Sequence, residues 1–168
     1  FVNWTGDVGS TNNPLIVTVN GPLTNIQANF AINMYTITAT AGTNGTIAPS
    51  GIVPMSGGGS TNFLVQAGAA SHIRNVLVDG ASVGATSGQT FGPGSNAFIY
   101  TFANVTSNHT IAAAFNRYPS CQMTASPTNG EAVLRVMIDV SGSYDPDGVI
   151  SSWRLDKEGD GVFESTFA

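Results

Sequence analysis

Apolar side chains recur at every second position in several short stretches of the chain, and Gly, Pro and Asn separate those stretches. Tyr35, Ile37 and Ala39 alternate with Thr36, Thr38 and Thr40, the pattern of a strand with one buried face. Asn62–Ala67, His72–Val78, Ala97–Phe102 and His109–Phe115 read as further strands. Asn44-Gly45 predicts a hairpin turn leading into a strand over Thr46–Ala48. Pro49–Gly59 reads as a Pro/Gly loop, and Asp79-Gly80 starts another tight turn. Roughly six short strands with turn signals every 8–12 residues predict an all-β unit rather than alternating strands and helices.

The closing strand of that unit has a looser copy earlier in the chain. Asn104–Phe115 reads Asn-Val-Thr-Ser-Asn-His-Thr-Ile-Ala-Ala-Ala-Phe, and Asn20–Phe30 reads Asn-Gly-Pro-Leu-Thr-Asn-Ile-Gln-Ala-Asn-Phe. Ile26, Ala28 and Phe30 align with Ile111, Ala113 and Phe115, so two successive units close on the same apolar face, the mark of a repeat architecture. Ahead of that copy, Phe1–Trp4 alternates as a strand and ends in a Gly6-Asp7 turn. Leu15–Asn20 alternates through Leu15, Val17 and Val19 and turns at Asn20-Gly21, which predicts a hairpin with Ile26–Phe30. A lone hairpin is marginal in water, so another surface is expected to cover it. Beyond Arg117, strands are predicted over Gln122–Ser126, Ala132–Ser141 and Ile150–Asp156, with Leu134, Val136, Ile138 and Val140 on one face of the second.

Charge divides the chain. Only 9% of the residues are charged, against roughly a quarter in an ordinary soluble domain, and Thr, Ser, Asn and Gly take their place. Residues 1–118 carry Asp7 and Asp79 against Arg74 and Arg117, and every other charge, including all the excess acid of the net −5, lies in residues 119–168. The step predicts a boundary near Arg117–Pro119. With no basic patch, nucleic-acid binding is disfavoured. No apolar run reaches about 18 residues, so no membrane span is predicted. Cys121 is the single cysteine; it permits no internal disulfide framework and reads as a small, half-buried residue at a strand start.

The motifs of residues 1–116 resemble the divergent internalin-type B-repeat, found in tandem on bacterial surface and secreted proteins. They are Tyr35-Thr-Ile-Thr-Ala, Asn44-Gly-Thr-Ile, Val76-Leu-Val-Asp-Gly80 and the closing strand at Asn104–Phe115. The family carries a Trp before Val-Asp-Gly; Trp4 takes that place in the first unit and Val76 in the second. Ala125-Ser-Pro-Thr-Asn-Gly-Glu-Ala-Val-Leu, Ser141-Gly-Ser-Tyr-Asp-Pro-Asp-Gly and Trp153 followed by Asp160-Gly resemble the polycystic-kidney-disease (PKD) module. Arg154-Leu-Asp-Lys-Glu-Gly-Asp-Gly departs from that module's usual Trp-Asp-Phe-Gly-Asp-Gly. The resemblance implies an immunoglobulin-like sandwich used as an extracellular spacer or adhesion unit. The expected fold is thus all-β, with tandem small antiparallel β-repeat modules followed by part of an immunoglobulin-like β-sandwich. Residues 1–33 are the C-terminal part of one repeat, 34–117 a complete repeat, and 118–168 the N-terminal part of the PKD-like sandwich. Such a sandwich needs about 100 residues. Either the chain is an excerpt of a longer array, or one chain's tail completes the next chain's head by strand addition.

Asp145, Asp147, Asp156, Glu158 and Asp160, with Glu164 beyond them, form the one candidate ion site. Calcium takes six to eight oxygens from flexible acidic loops, and these turns can supply several. The loop is not of the helix–loop–helix calcium type, because Phe167 stands where that motif needs Glu. The alternative is that Asp145 and Asp147 bond the backbone of their own turn. His72 and His109 are too few for zinc, and no nucleophile motif accompanies them. No catalytic residue and no certain cofactor is expected. The expected function is a structural or adhesive one outside a bacterial cell. Its partners would be other copies or modules of the same protein, or a cell-surface protein or glycan. An accessory region of a secreted hydrolase is the alternative.

Overall fold

The computed structural model describes residues 1–84, 89–157, 159–163 and 165–167, with Phe167 described by its backbone alone. The described chain is essentially all-β. Two short strands open it, β1 (Asn3–Gly6) and β2 (Ile26–Asn29). A central group follows: β3 (Met34–Ala41), β4 (Gly45–Ala48), β5 (Gly51–Ser56), β6 (Thr61–Ala67), β7 (Ser71–Val78), β8 (Ala81–Ser82), β9 (Ala97–Phe102) and β10 (His109–Arg117). The last strands are β11 (Thr124–Ser126), β12 (Met137–Asp139), β13 (Trp153–Leu155) and β14 (Ser165–Phe167).

The central group builds two facing sheets, one of five strands in the order β5-β3-β10-β7-β8 and one of three in the order β4-β6-β9. The period-2 pattern accounts for what lies between them. Ile37 and Ala39 of β3, Ile73 and Val76 of β7, and Ile111, Ala113 and Phe115 of β10 meet Ile47, Phe63, Val65 and Phe102 of the smaller sheet, all buried. Phe63 packs edge-on against Phe102, with ring centroids 5.7 Å apart. Full burial of one such side chain contributes roughly 1.5–3 kcal/mol.

Four sequence expectations are corrected by this topology. The repeat is not wholly antiparallel: β3 and β10 pair in parallel, from His109↔Ile37 to Ala113↔Ala41. A parallel pair needs a long crossover, and the intervening strands supply it. Asn44-Gly45 does turn the chain, with Asn44 at φ 70, but β3 and β4 lie in different sheets, so the turn is a corner and not a hairpin. Within Pro49–Gly59 lies β5, paired antiparallel with β3 from Ala39↔Gly51 to Met34↔Ser56. Pro54 is accepted there because β5 is an edge strand and needs no outward N–H partner. Leu15–Asn20 forms no strand; β2 pairs with β1 instead, Gly6↔Ile26 to Asn3↔Asn29. Leu15 and Val17 are half-buried and Ile16 faces solvent at 90% exposure, as the alternation predicts, but Val19 is 62% exposed.

Toward the C-terminus the pairs are short. β11 pairs with β12 and β13 with β14, so Ala132–Ser141 contributes only Met137–Asp139 to a ladder. The Asp79-Gly80 expectation holds: both residues have positive φ, at 50 and 80, and they join β7 to β8 through Val78↔Ala81.

Two substitutions test the packing. A Cβ on Gly45 would fall on the Phe115 ring, so Gly45→Ala should cost about 1–3 kcal/mol by overpacking. Phe63→Ala should cost about 3–5 kcal/mol. Urea denaturation reads both as a lowered midpoint with an unchanged slope; a wild-type midpoint in either variant would contradict this core.

Candidate functional site

The two units share more than an apolar face. β1–β2 places Trp4 opposite Ala28 and Gly6 opposite Ile26, while β7–β10 places Val76 opposite Ala113 and Val78 opposite Ile111. Trp4 therefore occupies the position of Val76, and Asp7 occupies that of Asp79. The two aspartates make matching bonds. Asp7 Oδ2 accepts the N–H groups of Thr24 and Asn25, at 2.6 and 2.8 Å, and the Asp7 N–H donates to the Asn25 carbonyl at 2.8 Å. Asp79 Oδ1 accepts the Thr110 N–H at 2.8 Å, and the Asp79 N–H donates to the Thr110 carbonyl at 3.1 Å. In each unit one carboxylate pins the residue that precedes the closing Ile. Sequence reading missed this clamp, although the two aspartates are the only acids in residues 1–118.

Both carboxyls are held below the ordinary Asp range. For Asp7 the causes are the Asn25 N–H, then the N–H and hydroxyl of Thr24. For Asp79, partial desolvation acts upward, and it is outweighed by the His109 hydrogen bond, the Thr110 N–H and the charge of His109.

The second clamp carries additional chemistry. His109 Nδ1 lies 2.7 Å from Asp79 Oδ2, and Ser107 Oγ lies 3.3 Å from His109 Nε2. This is the connectivity of a Ser-His-Asp triad. Its surroundings differ from that template, because the Asp79 side chain is 47% exposed and its other oxygen is committed to the Thr110 backbone. The first unit is an internal control: Thr24 stands where His109 does, and the clamp forms without an imidazole. His72, by contrast, is buried beside the Tyr118 ring at 5.1 Å, and its Nδ1 has no partner.

The candidate calcium residues fall into two turns. Asp147 accepts the Arg117 N–H through both oxygens, at 3.2 and 2.9 Å, and Asp145 Oδ1 accepts the Asp147 N–H at 3.2 Å. Asp156 accepts the N–H groups of Gly159, Asp160 and Gly161 at 2.6, 3.3 and 2.9 Å. Asp160 accepts that of Val162 at 2.8 Å. Glu158 and Glu164 lie outside the described residues. Among the described residues, no three His, Cys, Asp or Glu side chains come together in an arrangement able to hold a metal.

An apolar cleft of about 280 Å³ opens between the last strand pairs, lined by Cys121, Met123, Ile138, Val140, Trp153 and Leu155. Cys121 is exposed there and not half-buried, since β11 begins only at Thr124. The segment joining β10 to these strands is bonded on both sides. Tyr118 donates its N–H to Ala70 at 2.8 Å, and Ser120 exchanges two bonds with Tyr144, at 2.8 and 3.1 Å.

No protein-family model matches the chain, and neither a curated protein nor a solved structure matches it. Among the described residues no helix is long and apolar enough to cross a membrane.

The Asp79 clamp carries a pH signature. Its carboxyl titrates lower in the folded chain than in the unfolded one, so its contribution is complete above the unfolded value of about 3.9 and is lost as pH falls through the folded value. Asp79→Ala should lower stability at pH 7 by no more than about 1 kcal/mol, given the exposure of the pair. The gap between variant and wild type should close as acid protonates Asp79. Urea midpoints from pH 7 to pH 2 check this: the gap should hold down to about pH 4 and narrow below it, and a gap that stays constant to pH 2 would refute the clamp.

Proposed function

We propose that the chain is a non-catalytic structural and adhesive element of an extracellular, bacterial surface or secreted fibrous protein. The observation that carries this reading is the clamp repeated at one register in two successive units. A plan repeated end to end serves reach and stiffness, whereas a catalytic centre needs one site built once. The resemblances to internalin-type B-repeats and to PKD modules support the same reading. So does the clamp of the first unit, which gives the Asp79 carboxylate a structural task independent of His109 and Ser107. Other copies or modules of the protein, and a cell-surface protein or glycan, are the partners it implies. The two-stranded pairs at either end suit strand addition between subunits.

A second reading has one observation in its favour. Trp153 lines the open cleft beside Arg154, an arrangement that suits stacking on a sugar ring in an accessory region of a secreted hydrolase. One set of measurements separates the readings. The structural reading expects the protein to stay in solution when mixed with insoluble chitin or cellulose. It also expects p-nitrophenyl acetate to be hydrolysed no faster than by the Ser107→Ala variant. Retention that Trp153→Ala abolishes would establish the accessory reading, and turnover that depends on Ser107 would overturn the non-catalytic one.

A further inference from the structure

The parallel pairing of β3 with β10 has a mechanical meaning. β3 is the first strand of residues 34–117 and β10 the last. The chain enters from β2 at Met34 and leaves toward β11 at Arg117. In a parallel pair these two points lie at opposite ends of one ladder. Tension along the chain then pulls the two strands past each other, and every bond from His109↔Ile37 to Ala113↔Ala41 is loaded at once. An antiparallel pair with its free ends together behaves differently, because tension opens it one bond at a time. β1–β2 is of that second kind: Asn3 and Asn29 are opposite each other at the end where the chain enters and leaves.

Further contacts strengthen the ladder. Asn108 Oδ1 accepts the Thr36 N–H at 2.9 Å, adding a bond just before the first pair. The Gly42 N–H donates to the Ala113 carbonyl at 2.9 Å just beyond the last. The start of β10 is pinned by Asp79. On the core side, Ile37, Ala39, Ile111 and Ala113 are buried, which keeps water from replacing ladder bonds as they stretch.

We propose that residues 34–117 form a load-bearing module in which β3 and β10 act as a shear clamp, while the β1–β2 pair opens first under tension. This property belongs to the ladder and stands whether or not the adhesive reading does. Single-molecule pulling in two directions tests it. Handles on native Cys121 and on an Asn33→Cys substitution load β3 against β10 in shear. Handles on Cys121 and on Ala69→Cys instead peel β7 from β10, whose ends meet at Ser71↔Arg117. Both substituted positions are exposed, and far-ultraviolet circular dichroism matching the unsubstituted chain confirms that each variant is folded before pulling. The expected result is a rupture force several-fold higher in the first direction. In that direction the rupture should release about 250–300 Å of chain, the extended length of residues 34–117. Equal forces in the two directions, or gradual extension without a rupture along the Asn33–Cys121 axis, would overturn the proposal.

Discussion

The structure depends on the placement of β10 between two neighbours of opposite sense. β3 pairs with it in parallel over His109–Ala113 and β7 antiparallel over Ile111–Arg117, so every residue of the strand is paired on at least one edge and Ile111–Ala113 on both. Of its two side-chain faces, one carries Ile111, Ala113 and Phe115, at exposures of 0%, 6% and 8%. Those residues can be buried only if a second sheet lies opposite, which is why the chain crosses at Asn44-Gly45 instead of folding back. Gly45 has no Cβ because the Phe115 ring takes that space. The corner, the close approach and the central strand are one solution to a single burial problem.

The first unit shows what the motif does without that enclosure. It repeats the Ile-x-Ala-x-Phe pattern, the register and the aspartate clamp. Yet Phe30 is 73% exposed and Ile26 39%, and its aromatic residues pack mainly on one another, Phe1 against Trp4 at 5.2 Å and against Phe30 at 6.0 Å. Local pattern sets the pairing of two strands. Enclosure between sheets makes a core.

What the sequence disclosed follows the same division. Period-2 alternation located β3, β6, β7, β9 and β10, and the aligned Ile, Ala and Phe positions predicted that the two closing strands carry one pattern, because both are local properties of the chain; the strand opposite Ile26 was not among them. β5 was hidden, since Pro54 and the surrounding glycines mask the alternation of Val53 and Met55, which only β3 makes into a ladder. The parallel pair was hidden because no local signal reports which distant strand lies alongside. The Leu15–Asn20 strand was misjudged because its local alternation does not report that Ile26–Asn29 takes Asn3–Gly6 as its partner. The site was legible only in part. Acidic turns were visible as residues, but the Asp147 bond to Arg117 joins positions thirty apart, and the Asp7 and Asp79 clamps emerge only once the strands are paired.

Native-state hydrogen exchange probes the central claim, that enclosure of the β10 face and not the repeated motif stabilises the chain. Amides in the β3, β7 and β10 ladders should exchange only through global unfolding, with the urea dependence of that transition. Amides in the β1–β2 ladder should exchange far faster, through local opening with little urea dependence. Equal protection in the two ladders, or greater protection in β1–β2, would contradict the account.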